Sequence, residues 1–353
     1  MCEVTRRHVE GDSYRVIARD VYRRIARKIS PTSLEQMVHA VACQVKTAFV
    51  MSKELRPTWE GFLSLDEKKI PVKRQNLWCY GAIDSTGDVV HWRPVSGCCV
   101  TEAVEFLEEV KALGYPCRGL TSDLDTSFTR GIAEVYPGKP HQYCIKHALA
   151  ALEKILGYYG SELKARQRAA RLRTQFERLP LKKGFYLRRA SAAFLRQWET
   201  TRPLSVRSRE VHELRELCRQ ILCARSQGEA LDLLARLRRR HSSQTQRKWR
   251  AVRFFERHWK RLMRHHQVKG LARTTNMMES FNKQLMRRLK TIESFQHVET
   301  AVPYMHLLVA YLRLKPYTDC RHRRKHLNGK SRLQAAGVKL SSRDWLAACL
   351  KTR

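Results

Sequence analysis

The chain of 353 residues contains no C-x-x-C pair, although it has 11 cysteines. That absence excludes the usual zinc-ribbon and zinc-finger layouts of nucleic-acid proteins. The cysteines are scattered, odd in number and include the neighbours Cys98 and Cys99, so a reduced compartment is expected over a disulfide framework. No stretch approaches the ~18 uninterrupted apolar residues that span a bilayer, and the first residues lack the apolar run of a signal peptide. No membrane partner is expected, and the expected location is the cytoplasm. There is no internal repeat and no low-complexity tract. Acidic residues are scarce: 33 Asp+Glu face 69 Lys+Arg, a formal net charge of +36. Such an excess requires a polyanionic partner.

The charge is unevenly spread. Residues 1–60 carry +4, residues 61–160 carry −1, residues 161–270 carry +21 and the remainder +12. A plain basic coat has no reason to concentrate its acids in one segment. An enzyme that holds divalent cations beside a phosphate backbone does.

The near-neutral segment also has the strand texture. Gly61-Phe-Leu-Ser-Leu-Asp66 is a short apolar run ending in an acid. Asn76 to Asp84 is a second strand, and the turn Ser85-Thr-Gly-Asp88 leads into a third at Val89 to Val95, a hairpin pattern. Val104, Leu107, Val110 and Leu113 recur at helical spacing behind a Thr101 cap. Arg118 to Asp123 and His141 to Cys144 are two further strands, separated by a helix through Val135. The order predicts a mixed sheet with helical crossovers. From about residue 146 to 270 the texture is helical and strongly basic. Near the N-terminus, Val16, Ile17, Val21 and Ile25 predict a basic amphipathic helix with those four residues inward.

Asp66 and Asp123 are expected at carboxyl ends of strands, where open sheets bind ligands. Glu279 lies far downstream on a helix whose apolar side is Met278, Phe281, Leu285 and Leu289. Three such carboxylates can hold two Mg2+ ions about 3.5 to 4 Å apart, one activating an attacking oxygen and one stabilising a leaving oxygen. Simpler roles remain open at this point. Asp66 and Asp123 also suit strand-ending surface acids, and Glu279 suits the third position of a capping box begun by Asn276. Cys144 suits a buried core thiol, and the tryptophans suit a helix-bundle core.

The words around the acids resemble the bacterial insertion-sequence transposases of the Mutator-like DDE superfamily. Leu63-Ser-Leu-Asp66, followed by Leu77-Trp-Cys-Tyr-Gly-Ala-Ile-Asp84, is similar to that family's first-aspartate strand and its hairpin partner. Leu120-Thr-Ser-Asp123, then His141-Gln-Tyr-Cys144-Ile-Lys-His147, resembles the second-aspartate block with its trailing C-x-x-H. Thr274-Thr-Asn276-Met-Met-Glu279-Ser-Phe-Asn282 is similar to the final block. The blocks are in the family's order across roughly residues 60 to 315. Their separations, 57 and 156 positions, leave room for the family's helical insertion before the last acid.

The resemblance implies an α/β fold: an RNase H-like mixed five-stranded sheet with flanking helices, interrupted by a large basic all-α insertion, plus a small helical N-terminal region. Its divisions would be 1–58 (helical, part of a helix-turn-helix), 59–147 (catalytic core, first part), 148–270 (insertion), 271–315 (core helices carrying Glu279) and 316–353 (basic tail). It implies a transposase that cuts DNA at transposon ends and transfers the strand into target DNA. Asp66, Asp123 and Glu279 would be the catalytic, metal-binding triad for two Mg2+ ions, with Mn2+ able to substitute. Cys144, His147 and Asn276 would be accessory to the active site. Arg273, Lys283, Arg287 and Arg288 beside Glu279, with Lys248, Trp249, Arg250 and Trp259, would contact double-stranded DNA, both transposon ends and target. A homodimer or higher oligomer on DNA, nucleoid-associated in a bacterial cytoplasm, is the expected assembly. Two alternatives are a truncated or domesticated relative that only binds DNA and an RNase H-like nuclease that cuts without joining. The complete triad argues against the first, the long basic segment before Glu279 against the second.

Overall fold

Four helices precede the sheet, and hydroxyl side chains start three of them. They are α1 (Cys2–Glu10), α2 (Tyr14–Ile25), α3 (Pro31–Ala42) and α4 (Ala48–Leu55). Ser13, Ser30 and Thr47 accept hydrogen bonds from the backbone N–H groups of Val16, Ser33 and Val50, and Pro31 sits in the first turn of α3, where its missing N–H costs nothing. The computed structural model describes every residue except 74, 161, 178–204, 290–294, 341, 343 and 352–353. The described chain forms two compact units, Met1–Gln142 with Gly270–Arg353, and Tyr143–Lys269.

The first unit is built on a mixed five-stranded sheet, as expected, and its strand order is β3-β2-β1-β4-β5. Its strands are β1 (Phe62–Val72), β2 (Gln75–Asp84), β3 (Val89–Val95), β4 (Gly119–Ser122) and β5 (His141–Tyr143). β1 is antiparallel to β2, β2 is antiparallel to β3, and β1 is parallel to β4. The crossover from β3 to β4 carries α5 (Val100–Ala112), and that from β4 to β5 carries α6 (Thr126–Val135). One face of the sheet packs Leu63, Leu65, Tyr80 and Leu120 against Phe106, Leu107, Phe128 and Ile132 of these helices.

Three local expectations are corrected. β1 does not end at Asp66, because β2 pairs with it for six residues more, through Val72. α5 starts from Cys99, with Thr101 already inside its first turn, and buries Ala103 and Phe106 beside Leu107 and Val110. α2 buries only Ile17, and Ile25 is 63% exposed, because α1 and α3 cover one short stretch of it.

In the second unit, α7 (Ile145–Leu156), α8 (Glu162–Glu177), α9 (Val206–Cys223), α10 (Gln227–Arg239) and α11 (Thr245–Leu262) are described. Residues 178–204 of the expected insertion lie outside the described residues. Leu152, Leu156, Leu214, Ile221, Leu234, Leu237, Val252 and Phe255 form its buried interior. The half-buried Arg215 donates to the buried Glu153 at 2.7 Å.

The chain returns to the first unit as α12 (Asn276–Leu289) and α13 (Val298–Leu314), which cover the other sheet face through Met278, Phe281, Leu285 and Leu308. Two short helices follow, α14 (Arg332–Ala335) and α15 (Trp345–Cys349). Leu333, Leu346 and Cys349 are fully buried, so this segment is part of the first unit's core.

Candidate active site

Asp66 and Asp123 are held level with one another by the parallel register. Leu63 pairs with Leu120 and Ser64 with Thr121, so the next two residues on each strand bring Asp66 beside Asp123, one position past the end of β4. Side chains alternate along a strand. Leu63, Leu65 and Leu120 face α5 and α6; Asp66 and Asp123 therefore share the opposite face, the one covered by α12. Both carboxylates are half-buried. Asp123 Oδ1 accepts from the backbone N–H of Asp125 at 3.0 Å, and Asp125 in turn caps α6 by accepting from Ser127 N at 2.7 Å.

Two contacts seat α12 on this face. Thr121 Oγ1 donates to Ala272 O at 2.7 Å, which ties the segment before α12 to β4. Gly81 pairs with Asp66 across β1 and β2, and a Cβ at Gly81 would lie 2.1 Å from Met278 Cε. Glycine at that position lets the helix approach the sheet directly over Asp66. One turn on, Asn282 Nδ2 donates to Asp66 Oδ2 at 2.9 Å. Glu279 lies three residues before Asn282, and residues so spaced share a side of a helix.

The helix end decides a point left open by the sequence. Glu279 N donates to Thr275 O at 2.9 Å, the first helical bond, so Thr275 is the N-cap and Asn276 is already in the helix. Glu279 is then the fourth helical residue, one beyond the position a capping box uses.

Asn282 belongs to the final block, and its spacing alone assigns it no role. The carboxylate it bonds is acceptor-only, which fixes its amide orientation and leaves Oδ1 buried with no hydrogen-bond partner among the described residues. Aspartate and amide oxygens on this face, including the orphaned buried Asn282 Oδ1, are the donor type that a hard divalent cation prefers. Glu67, on the other face, is a further acid of this neighbourhood. Burial first, then the charges of Asp123, Asp125 and Asp66, pushes its carboxyl above the usual range.

Other acids of the near-neutral segment have structural roles, which weakens the argument from charge distribution. The fully buried Asp84 accepts from Gly61 N, Glu60 N, Thr86 N and the Tyr115 hydroxyl. The fully buried Asp88 pairs with Arg313 through two bonds of 2.8 Å. Glu102, Glu105 and Glu109 surround Arg93.

The remaining expected site residues belong to both units. Arg273, Asn276, Lys283 and Arg287 are exposed on or just before α12. Arg288 is half-buried, donates to Glu10 O and lies 5.9 Å from the Tyr311 ring centroid, so it supports the first unit's packing. In the second unit, Cys144 is buried at the start of α7, and its sulfur and a His147 ring nitrogen lie within 4.8 Å of each other. Lys248, expected on DNA, is instead buried: its Nζ donates to Arg238 O at 3.2 Å and Arg240 O at 2.7 Å, at the carboxyl end of α10. Trp249 is 42% exposed beside the exposed Arg250, whereas Trp259 is half-buried.

No protein-family model matches the sequence, and no curated protein matches it. Among solved structures, the chain is similar to the Drosophila P element transposase strand transfer complex. The TM-score is 0.40 at 10% identity, over 86% of this chain and 90% of that one.

Proposed function

We propose that the protein is a DDE-type transposase of RNase H-like fold, related to the bacterial Mutator-like insertion-sequence enzymes, that cuts DNA at element ends and joins the strand to target DNA. The observation that carries this reading is the meeting of Asp66, Asp123 and the Asn282 side of α12 on one face of the sheet. Asp66, Asp123 and Glu279 would hold Mg2+, which supplies charge for activating the attacking oxygen and stabilising the leaving one. The chain's own part is position. Asn282 orients Asp66, the Asp125 N–H orients Asp123, and Thr121 anchors the approach to Glu279. Exposed Arg273, Lys283 and Arg287 supply cations to the phosphate backbone, and Trp249 with Arg250 offers the second unit's stacking surface. Bringing two ends together requires a dimer or larger assembly.

The test is an assay with Mg2+ and DNA carrying the element ends. Strand joining is expected, and Asp123→Ala or Glu279→Ala should abolish it while DNA binding persists. Joining that survives either change refutes the triad. Cutting without joining would identify a nuclease, and binding alone a DNA-binding relative.

A further inference from the structure

A cavity of about 590 Å3 lies along the outer side of α12, bounded by the chain that follows α13. Its lining includes Arg287, Lys315, Tyr317, Arg324 and Arg332, together with Arg288 and a single carboxylate, Asp319. Arg332 is unusual. It is only 5% exposed, yet its guanidinium reaches neutral acceptors: Leu312 O at 3.2 Å, Gly87 O at 2.9 Å and the Tyr317 hydroxyl at 3.0 Å. Among the described residues it has no ion pair, and neither do Lys315 or Arg324. Burial lowers its pKa from the usual arginine value. A buried guanidinium without a counter-charge is costly unless an anion completes it.

The donors are also gathered. A Cβ on Gly87, whose φ is +96°, would lie 2.9 Å from the Tyr317 hydroxyl, 3.0 Å from Arg324 Nη2 and 4.0 Å from Arg332 Nη1. Glycine leaves room there for the Tyr317 phenol and the Arg324 guanidinium to come together, next to Arg332. The wall that carries Tyr317 is fastened by Tyr317 N to Lys330 O, Gly329 N to Tyr317 O, and the Asn328 side chain to both backbone groups of Cys320. This is a built site, and its chemistry suits a phosphate: forked donors on a fastened floor, beside the half-buried Lys315 and the exposed Arg324.

We propose that this cavity cradles a backbone phosphodiester of the DNA strand engaged at Asp66, Asp123 and Glu279. The proposal rests on the functional reading above and gives Lys315, Tyr317, Arg324 and Arg332 a role in it. α12 links the two places: Glu279 and Asn282 lie on one side of the helix, and Ser280, Gln284 and Arg287 line the cavity from the adjacent side. A strand crossing from one to the other would be held near its reacting bond by contacts that carry no sequence information.

The experiment compares the full chain with two doubly substituted forms of equal charge loss. Lys315→Ala with Arg324→Ala opens the cradle; Lys53→Ala with Lys139→Ala is the control. Arg332 is left alone because its replacement would unfold the core. Affinity for a labelled duplex is measured across a salt series, inorganic phosphate is titrated separately by calorimetry, and strand joining by the unaltered chain is followed in parallel. Each lost phosphate contact should reduce the slope of log affinity against log salt by about 0.9. The cradle variant should therefore lose about two in slope and at least about tenfold in affinity; the control should lose less than half of either. A cradle variant that matches the control, while the unaltered chain still joins DNA, overturns the cradle and leaves the functional reading standing. A cavity that takes inorganic phosphate but whose loss leaves DNA affinity unchanged is a small-anion site, and that also overturns the proposal. A chain that neither binds nor joins DNA overturns the functional reading and the cradle with it.

Discussion

Gly81→Ala tests whether α12 is seated on the sheet as described. The added Cβ would stand 2.1 Å from Met278 Cε, 3.2 Å from Met278 Sδ and 3.4 Å from Trp92 Cδ1. Carbon atoms rest about 3.5 to 4.0 Å apart, so the Met278 methyl must retreat by roughly 1.5 Å. Met278 is 1% exposed and Trp92 also 1%, so little free space receives it. Overpacking of this kind costs about 1 to 3 kcal/mol. In a unit of this size each kcal/mol lowers the melting temperature by roughly 2 to 4 °C. Met278→Ala alone leaves a cavity and costs about 2 to 5 kcal/mol. Combined with it, Gly81→Ala should add almost nothing, because the atom it strikes is gone. Urea unfolding of the two single variants and the double variant measures this coupling, expected at about 1 to 3 kcal/mol. Strict additivity would refute the contact, and with it the reason given for glycine opposite Asp66.

Four further outcomes are expected. Burial pushes the His306 imidazole down to about 4, so between about pH 6.5 and 4 the unfolded chain holds a proton that the folded one does not. Stability should be full above that window and fall by up to about 3 kcal/mol as the pH drops through it, a loss that His306→Gln should reduce in urea titrations at pH 7, 5 and 4. Arg313→Met strands the buried Asp88 carboxylate and should cost about 3 to 5 kcal/mol, partly recovered by adding Asp88→Asn, as calorimetric melting will read. Lys248→Met should lower stability by about 1 to 3 kcal/mol by freeing the end of α10. By contrast, Trp249→Ala should leave stability within about 0.5 kcal/mol and weaken single-stranded DNA binding by about 1 to 3 kcal/mol in a fluorescence titration.

Local pattern was enough to read the five strands, the β2–β3 hairpin, the two crossover helices and the acids as separate features. Alternating burial and helical periodicity are properties of a few consecutive residues, so they survive without tertiary context. What failed depended on distant partners. β1 runs past Asp66 because β2 supplies its ladder, although the polar Glu67-Lys68-Lys69 run looks like a strand end. Ile25 is exposed because no described element covers that end of α2, whatever its spacing suggests. Lys248 reads as a surface cation until the carbonyl groups of Arg238 and Arg240 are seen to hold it.

The sequence by itself determined the composition of the candidate site: three acids in strand and helix settings, ordered along a basic chain. Only the tertiary structure decided which of them meet and what stands beside them. The bond from Asn282 to Asp66 joins residues 216 apart, and Gly81 and Thr121 are ordinary residues until α12 is laid across them. The same holds for Arg332, whose neutral hydrogen-bond partners Gly87, Leu312 and Tyr317 converge from three parts of the chain. Register and burial arise from long-range packing, and a string of residues carries no distances between its distant parts.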